Sequence, residues 1–244
     1  MDDASMTTTL SRRRVIALLA GATGGLVAAQ ARAATPPNET GLSHEGLLAG
    51  HPGFQPRSTM VLPHEEVPGF LSRAQLAAHH AEYVRAFDQL RETDAALKRE
   101  DVPAADYAAL RRAQVSAANS VLLHEFYFTG LAAETNAPPR SIGAHMNEHM
   151  GSFDTWRADF TRCALAAKAW ATLVYDPYDD RWHNTIMDSD TDGVWIGANL
   201  LVVCDVTEHA YAKDYPRRED YVAKFFDHID WEEVSRRYRA VDRM

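Results

Sequence analysis

The segment around residues 205–209 carries the side chains best suited to bind a metal ion. Asp205 follows a continuous apolar run that ends at Cys204, so we expect this aspartate at the end of a buried strand. Burying a carboxylate without a partner is costly, and a metal ion would compensate its charge. His209 comes four residues later and would lie on the same side of the chain if the chain turns helical there. Asp205 and His209 therefore predict half of a mononuclear metal site.

Two further histidines lie on apolar stretches that are expected to be helical. His124 is flanked by Leu123 and Phe126, and His79 lies on the apolar face of an earlier helix. A single histidine on such a face is more often a core residue than a ligand, but three in separate elements favour a shared site. Three histidines and one carboxylate suit a borderline metal such as Mn or Fe. Zinc is less favoured because the chain has no cysteine-containing tetrahedral motif.

A pair of long helices is predicted to position the first two histidines. Ser72 is a good N-cap for the first helix, and a polar break at residues 99–103 ends it. Apolar or ligand side chains recur on one face of this helix at spacings of three and four: Leu76, His79, Tyr83, Phe87 and Leu90. A second helix is predicted from about Ala104 to Ala133. Residues 71–136 are therefore interpreted as an antiparallel helical hairpin domain.

The remainder of the chain, residues 137–244, is predicted to be a mixed α/β domain that supplies Asp205 and His209. Three runs of residues favour β-structure: 171–175, 182–186 and 200–204. Helical patterns return around residues 217–226 and 231–238. The predicted fold class is therefore α+β, with a helical hairpin followed by an α/β domain that contains a small antiparallel three-stranded sheet.

The first 33 residues have the pattern of a bacterial export signal. A basic segment at Arg12–Arg14 precedes an apolar run, and a small-x-small pattern comes before Ala34. The paired arginines after Ser11 resemble the twin-arginine type. We expect cleavage near Ala33 and a periplasmic or secreted mature protein with no membrane segment; an uncleaved anchor is the alternative. Residues 34–70, rich in Pro, Gly and His, are interpreted as a linker or a surface arm.

Composition limits the classes of partner that the protein can bind and the roles that its cysteines can have. The 244-residue chain has a formal net charge of −9 and no cluster of Lys and Arg, which argues against a nucleic-acid partner. Its two cysteines, Cys163 and Cys204, form neither a disulfide framework nor a zinc-binding pair. Two buried free thiols are favoured, although the two could pair in an oxidising compartment.

Several segments resemble those of one known family. Residues 205–211 resemble the Asp-x-Trp-Glu-His-Ala-Tyr signature of iron/manganese superoxide dismutases. Weaker similarities occur in the order expected for that family: Gly151-Ser152-Phe153 followed by Phe160, Ala169-Trp170 followed by Leu173-Val174-Tyr175, and Asp230-Trp231 with Arg236 or Arg237 after it. The resemblance covers about residues 70–240.

The resemblance implies a fold, a reaction and a set of ligands. One Fe or Mn ion per chain would lie between the helical hairpin and the α/β domain, bound by His79, His124, Asp205 and His209. Counting from the helix start at Ser72 gives His79 as the first ligand, whereas counting back from the family's gateway tyrosine would give Gln75; the first count is preferred because glutamine is a poor ligand. The implied reaction converts superoxide to O2 and H2O2.

The resemblance also implies roles for side chains around the metal. Tyr83 would gate access, Trp170 would form a wall of the pocket, and Glu208 would reach the His209 of a partner subunit in a homodimer. This chain departs from the family where Thr207 replaces a tryptophan. Members of the family have a side chain that donates a hydrogen bond to the metal-bound solvent. At the two positions where it could lie, this chain has Ser120 and Ser189. These departures leave two alternatives open: a non-catalytic metal-binding relative, or another redox enzyme, such as a peroxidase, on the same fold.

One more motif places two histidines four residues apart, His145 and His149, with Glu148 between them. It matches no known metal-binding pattern fully, and we interpret it as one face of an amphipathic helix. Neither a P-loop, a nucleophile elbow nor a dinucleotide fingerprint occurs in the sequence.

Overall fold

The computed structural model describes residues 58–241, which form seven α-helices and three β-strands. The elements are α1 (Arg73–Leu97), α2 (Ala104–Thr129), α3 (Arg140–Met150), α4 (Phe153–Ala166), β1 (Trp170–Asp176), β2 (Arg181–Met187), β3 (Asn199–Asp205), α5 (Glu208–Tyr211), α6 (Arg218–Phe225) and α7 (Trp231–Val241), with a short 3-10 turn at Phe226–His228. This order confirms the predicted α+β fold class. The predicted export signal, residues 1–33, and the first part of the predicted arm, residues 34–57, lie outside the described residues.

Helices α1 and α2 pack against each other as the predicted pair. Ser72 caps α1, and its side chain accepts a hydrogen bond from the backbone N–H of Gln75. Helix α2 is four residues shorter than predicted because Gly130 follows its last turn and Leu131 leaves the helix to bridge Ile229. A Cβ atom at Gly130 would lie 2.9 Å from the Phe126 carbonyl oxygen, so this close approach requires glycine.

The three strands form one antiparallel sheet in the order β2-β1-β3. Each strand extends one residue beyond its predicted run at both ends. Every residue of the central strand β1 is buried, which explains why most of its side chains are apolar. Trp170, at the start of β1, pairs with Asp205, at the end of β3. The register thereby brings the predicted wall residue and the predicted anionic ligand to the same edge of the sheet.

Helices from the second half of the chain cover the sheet with an aromatic core. Trp156 of α4 and Trp231 of α7 contact each other with ring centroids 5.5 Å apart, and both are fully buried. Cys204 is buried and Cys163 is half-buried, and both are free thiols. Burial raises the pKa of both thiols, so neither is activated as a nucleophile.

Residues 58–72 lie against the helical pair. Met60, Val67 and Phe70 are buried, and the Nε2 atom of His64 lies 3.0 Å from the Leu131 carbonyl oxygen. His80 is half-buried, and its Nε2 atom lies 2.8 Å from the Met60 carbonyl oxygen. Among the described residues, no helix is both long enough and apolar enough to cross a membrane.

Arg237 joins three elements in the interior. Its fully buried guanidinium donates hydrogen bonds to the carbonyl oxygens of Leu201 and Phe126, each at 2.8 Å, and to Glu233 at 2.9 Å. Burial lowers the pKa of Arg237, and the nearby Glu233 carboxylate partly offsets that effect. The guanidinium thus links the end of α2 to β3 and α7.

Replacing Arg237 with alanine is expected to lower the free energy of unfolding by about 3–5 kcal/mol, because it leaves buried acceptors without a donor. The exposed Arg239 on the same helix provides the control, and Arg239→Ala is expected to change stability by less than about 0.5 kcal/mol. Urea unfolding at one fixed protein concentration measures both. Equal midpoints for the two variants would contradict the structural role of Arg237.

Candidate metal centre

Four elements bring the four predicted ligands together. His79 comes from the second turn of α1, His124 from the C-terminal part of α2, Asp205 from the end of β3, and His209 from α5. One potential ligand atom from each lies within 4.8 Å of the others. That spread fits donor atoms that surround one ion at bond lengths of roughly 2.0–2.3 Å.

The carboxylate of Asp205 is the centre of this cluster. Its Oδ2 atom lies 2.9 Å from Nε2 of His79 and 3.1 Å from Nε2 of His209. Its Oδ1 atom accepts hydrogen bonds from the backbone N–H of Thr207 at 2.8 Å and from the Thr207 hydroxyl at 2.6 Å. Thr207 therefore fixes the orientation of the carboxylate and leaves Oδ2 directed at the histidines.

His124 presents a ring nitrogen to the cluster that no described protein group satisfies. Its Nδ1 atom donates to the Ser120 carbonyl oxygen at 2.7 Å, which leaves Nε2 with a free lone pair. This Nε2 atom is buried and has no hydrogen-bond partner among residues 58–241. Leaving such an atom unsatisfied is costly, and a metal ion would satisfy it. The donor set therefore fits a bound metal ion.

Burial keeps the ligand side chains in the protonation states that metal binding needs. Desolvation lowers the pKa of His79, and it lowers the pKa of His124 to about 4, so both imidazoles are neutral near pH 7. Burial alone would raise the pKa of Asp205, but the hydrogen bonds with His209 and His79 hold it well below its usual range. The result is one ionised carboxylate beside the neutral imidazoles of His79 and His124, which are the protonation states of metal ligands.

The structure places His79, and not Gln75, at the cluster. The Gln75 side chain donates to the His209 carbonyl oxygen at 2.6 Å and accepts from the backbone N–H of Lys213 at 2.8 Å. Both ends of this amide are therefore occupied by the backbone around α5. Gln75 holds α5 against α1 and does not offer a donor atom to the four ligand atoms.

Comparison with known proteins agrees with this geometry. A sequence profile of the C-terminal domain of iron/manganese superoxide dismutases matches residues 138–237. A protein named manganese superoxide dismutase 2 from Haloferax volcanii is 31% identical over 162 residues, which are 66% of this chain and 81% of that protein. The chain belongs to the iron/manganese superoxide dismutase family. A protein of Methanothermobacter thermautotrophicus named as an iron superoxide dismutase is 30% identical over 190 residues, 73% of this chain and 92% of that protein.

Trp170 lies against His124 of the cluster, and it has a hydrogen-bond partner that the sequence did not reveal. Its ring meets the His124 ring edge to face at 5.1 Å, and its Nε1–H donates to Asp190 at 2.8 Å. Burial raises the pKa of Asp190, while hydrogen bonds from Trp170 and Ser120 act in the opposite direction. Asp190 thus joins two residues beside His124.

Asp190, and not its neighbour Ser189, lies against Trp170. The family's donor to the metal-bound solvent falls at Ser189 in this sequence, and the Ser189 hydroxyl contacts Thr191 and Asp192 within its own loop. A polar residue one position away reaches Trp170 instead, because the loop turns between them. In the sequence, the sign of this contact was the pair of acidic residues that flank Ser189, Asp188 and Asp190.

The remaining two predicted side chains occupy very different environments. Tyr83 is fully buried; its hydroxyl donates to Glu125 at 2.8 Å and accepts from the backbone N–H of Met60 at 2.8 Å. Its gating role stays a prediction.

Glu208 begins α5 and is exposed. It is next to His209, whose side chain is 34% exposed. In this family member, therefore, His209 is the ligand candidate that solvent reaches.

Proposed function

We propose that this protein is a superoxide dismutase that holds one Fe or Mn ion with His79, His124, Asp205 and His209. The observation that carries the proposal is the convergence of one ionised carboxylate and three histidines, with donor atoms within 4.8 Å, at the contact of the helical pair with the sheet. Membership of the family favours this function over a non-catalytic metal-binding relative or a peroxidase.

The proposed reaction consumes two superoxide anions and two protons and yields one O2 and one H2O2. The bound ion would supply a one-electron couple that accepts an electron from the first superoxide and returns it to the second. Asp205 contributes the single negative charge that balances the cation. Thr207 and Ser120 hold the carboxylate and the His124 ring in their orientations, so little rearrangement of ligands is needed when the charge changes.

The choice between Fe and Mn is left to measurement, because the same donor set serves both metals. The relatives include proteins named as manganese and as iron superoxide dismutases. Residues beyond the ligands tune the reduction potential, and Asp190, which accepts hydrogen bonds from Trp170 and Ser120, is a residue of this environment that the family resemblance did not name.

Purified protein with quantified Fe and Mn, assayed for superoxide removal, tests the proposed function. The removal rate is expected to rise in proportion to the content of one of these metals and to disappear when the metal is removed. Metal-loaded protein without superoxide removal would identify a non-catalytic relative. Reduction of H2O2 at the expense of an electron donor, without superoxide removal, would identify a peroxidase.

We also propose that the mature protein works outside the cytoplasm, on the basis of the export signal in residues 1–33. Replacing both Arg12 and Arg13 with lysine is expected to leave the precursor in the cytoplasm, because the twin-arginine route depends on that pair. Cell fractionation and immunoblotting measure the distribution. Arg32→Lys, near the predicted cleavage site, is the control and should be exported and cleaved normally. Normal export of the double variant would indicate the general secretory route.

A further inference from the structure

Helix α3 carries a second cluster of potential ligands that shares no residue with the first. His145 and His149 are one turn apart on the same face of the helix, and Glu148 lies beside them. One ligand atom from each lies within 4.8 Å of the other two. The two imidazole rings are nearly parallel, with an interplanar angle of 14° and centroids 5.7 Å apart.

The ring nitrogens in this cluster lack protein partners. Both nitrogens of His149 and the Nδ1 atom of His145 are buried and make no hydrogen bond within residues 58–241. A neutral imidazole has one donor and one acceptor nitrogen, so His149 leaves both functions unused. A histidine that only formed the polar face of an amphipathic helix would turn these atoms to water. The sequence-based interpretation therefore does not explain their burial.

Aromatic rings hold the two imidazoles in place. The Trp182 ring stacks on His149 at 5.6 Å and lies 5.7 Å from His145, and the Tyr238 ring meets His145 edge to face at 4.6 Å. Glu148, by contrast, is exposed. The cluster thus has a rigid apolar side formed by β2 and α7 and an open side towards solvent.

The charges around the cluster suit a cation that prefers imidazole. Desolvation lowers the pKa of His149, which keeps its ring neutral near pH 7, and Glu148 supplies a carboxylate. Arg181 is a nearby cation, but it is exposed and one of its guanidinium nitrogens donates to the Glu148 carbonyl oxygen at 3.3 Å. Because Arg181 is exposed, water and salt screen its positive charge. Its repulsion of a bound cation is therefore weak.

We propose that His145, Glu148 and His149 form a second metal site, for a divalent transition ion such as Zn2+ or Cu2+. Two imidazoles and one carboxylate suit these ions, and water would complete the coordination on the open side. The ion would satisfy one buried nitrogen of His149 and would fasten the C-terminal turn of α3.

Trp182 provides a direct probe for the proposed site, because Cu2+ bound to His149 would lie close enough to its ring to quench its fluorescence. The full chain, with Fe or Mn already bound at the first site, is titrated with Cu2+. We expect saturable quenching that Zn2+ reverses by competition. His149→Ala should weaken the apparent affinity on the order of tenfold or more, and Trp182→Phe should remove the quenching while copper still binds, as measured by metal analysis.

Two further variants separate this site from its neighbours. His183→Ala removes a histidine on β2 that contacts Trp195, so it should leave the titration unchanged. Zn2+ should raise the Tm of the parent protein and not of His149→Gln, which keeps a polar side chain. Absence of saturable quenching in the parent, or equal quenching in the parent and His149→Ala, would overturn the proposal.

Discussion

Replacing Asp205 with alanine is expected to yield protein with at least about tenfold less bound Fe or Mn than the parent, with superoxide removal reduced in proportion. Asp205 is the only anion in the cluster, and its Oδ2 atom is shared by His79 and His209. Without it, three imidazoles would have to hold a cation at a largely buried site with no compensating charge. The expected loss therefore includes both a ligand bond and the charge balance of the site.

Metal content after purification, measured together with protein concentration, checks this expectation. Asp188→Ala is a matched control, because Asp188 is an exposed aspartate that pairs with Lys168 on the surface. Asp205→Asn preserves the size and shape of the side chain and tests the charge separately; it too should lose metal. Stoichiometric metal in folded Asp205→Ala protein would show that Asp205 is not a ligand.

Replacing Glu208 with alanine is expected to weaken a dimer and metal binding together. We propose the dimer because a ligand histidine needs a partner for its second ring nitrogen, and a carboxylate is well suited to that task. His209 directs Nε2 at Asp205, and its Nδ1 atom has no hydrogen-bond partner among the described residues. Glu208 is adjacent in the chain, so its side chain leaves α5 in a different direction. Across a two-fold axis, each Glu208 could reach the other subunit's His209, giving two equivalent bonds.

Loss of such an orienting carboxylate is expected to reduce metal affinity about 10–100-fold. Sedimentation velocity at micromolar concentration, combined with metal analysis, measures both effects in one sample. Glu219→Ala, which removes an exposed glutamate from α6, is the control and should remain a metal-loaded dimer. A parent protein that is a metal-loaded monomer at micromolar concentration would refute the arrangement. Dimer dissociation of Glu208→Ala without any loss of metal would separate the interface from the ligand.

The fold class was predictable because local patterns and long-range packing agree along most of the chain. The cap at Ser72 and the recurrence of apolar residues after it predicted α1, and the runs of residues that favour β-structure predicted all three strands to within one residue at each end. The end of α2 was not predictable from periodicity. Helical residues continue past Gly130, and the bridge from Leu131 to Ile229, 98 positions later in the chain, is what ends the helix.

The residues of the candidate metal centre were predictable for a related reason. A carboxylate that follows a buried strand, such as Asp205, and histidines on apolar helix faces, such as His79 and His124, are costly in a core unless they meet a partner. This cost is visible in the sequence, because the apolar residues that flank these side chains in the chain mark the positions as buried. Whether His79 or Gln75 supplies the first ligand, however, depended on where α5 packs. The α5 residue that Gln75 contacts, His209, lies 134 residues later in the chain.

Tertiary structure alone decided the features that depend on loops and on contacts between distant elements. Asp190 reaches Trp170 because the loop after β2 turns there, whereas the neighbouring Ser189 contacts only residues of its own loop among those described. His145 and His149 have the spacing of an ordinary exposed helix face, and only the packing of Trp182 and Tyr238 against them buries their nitrogens. Sequence periodicity specifies which face of a helix or strand is apolar. It carries no information on which distant side chain will cover a polar atom. That contact determines what the atom can bind.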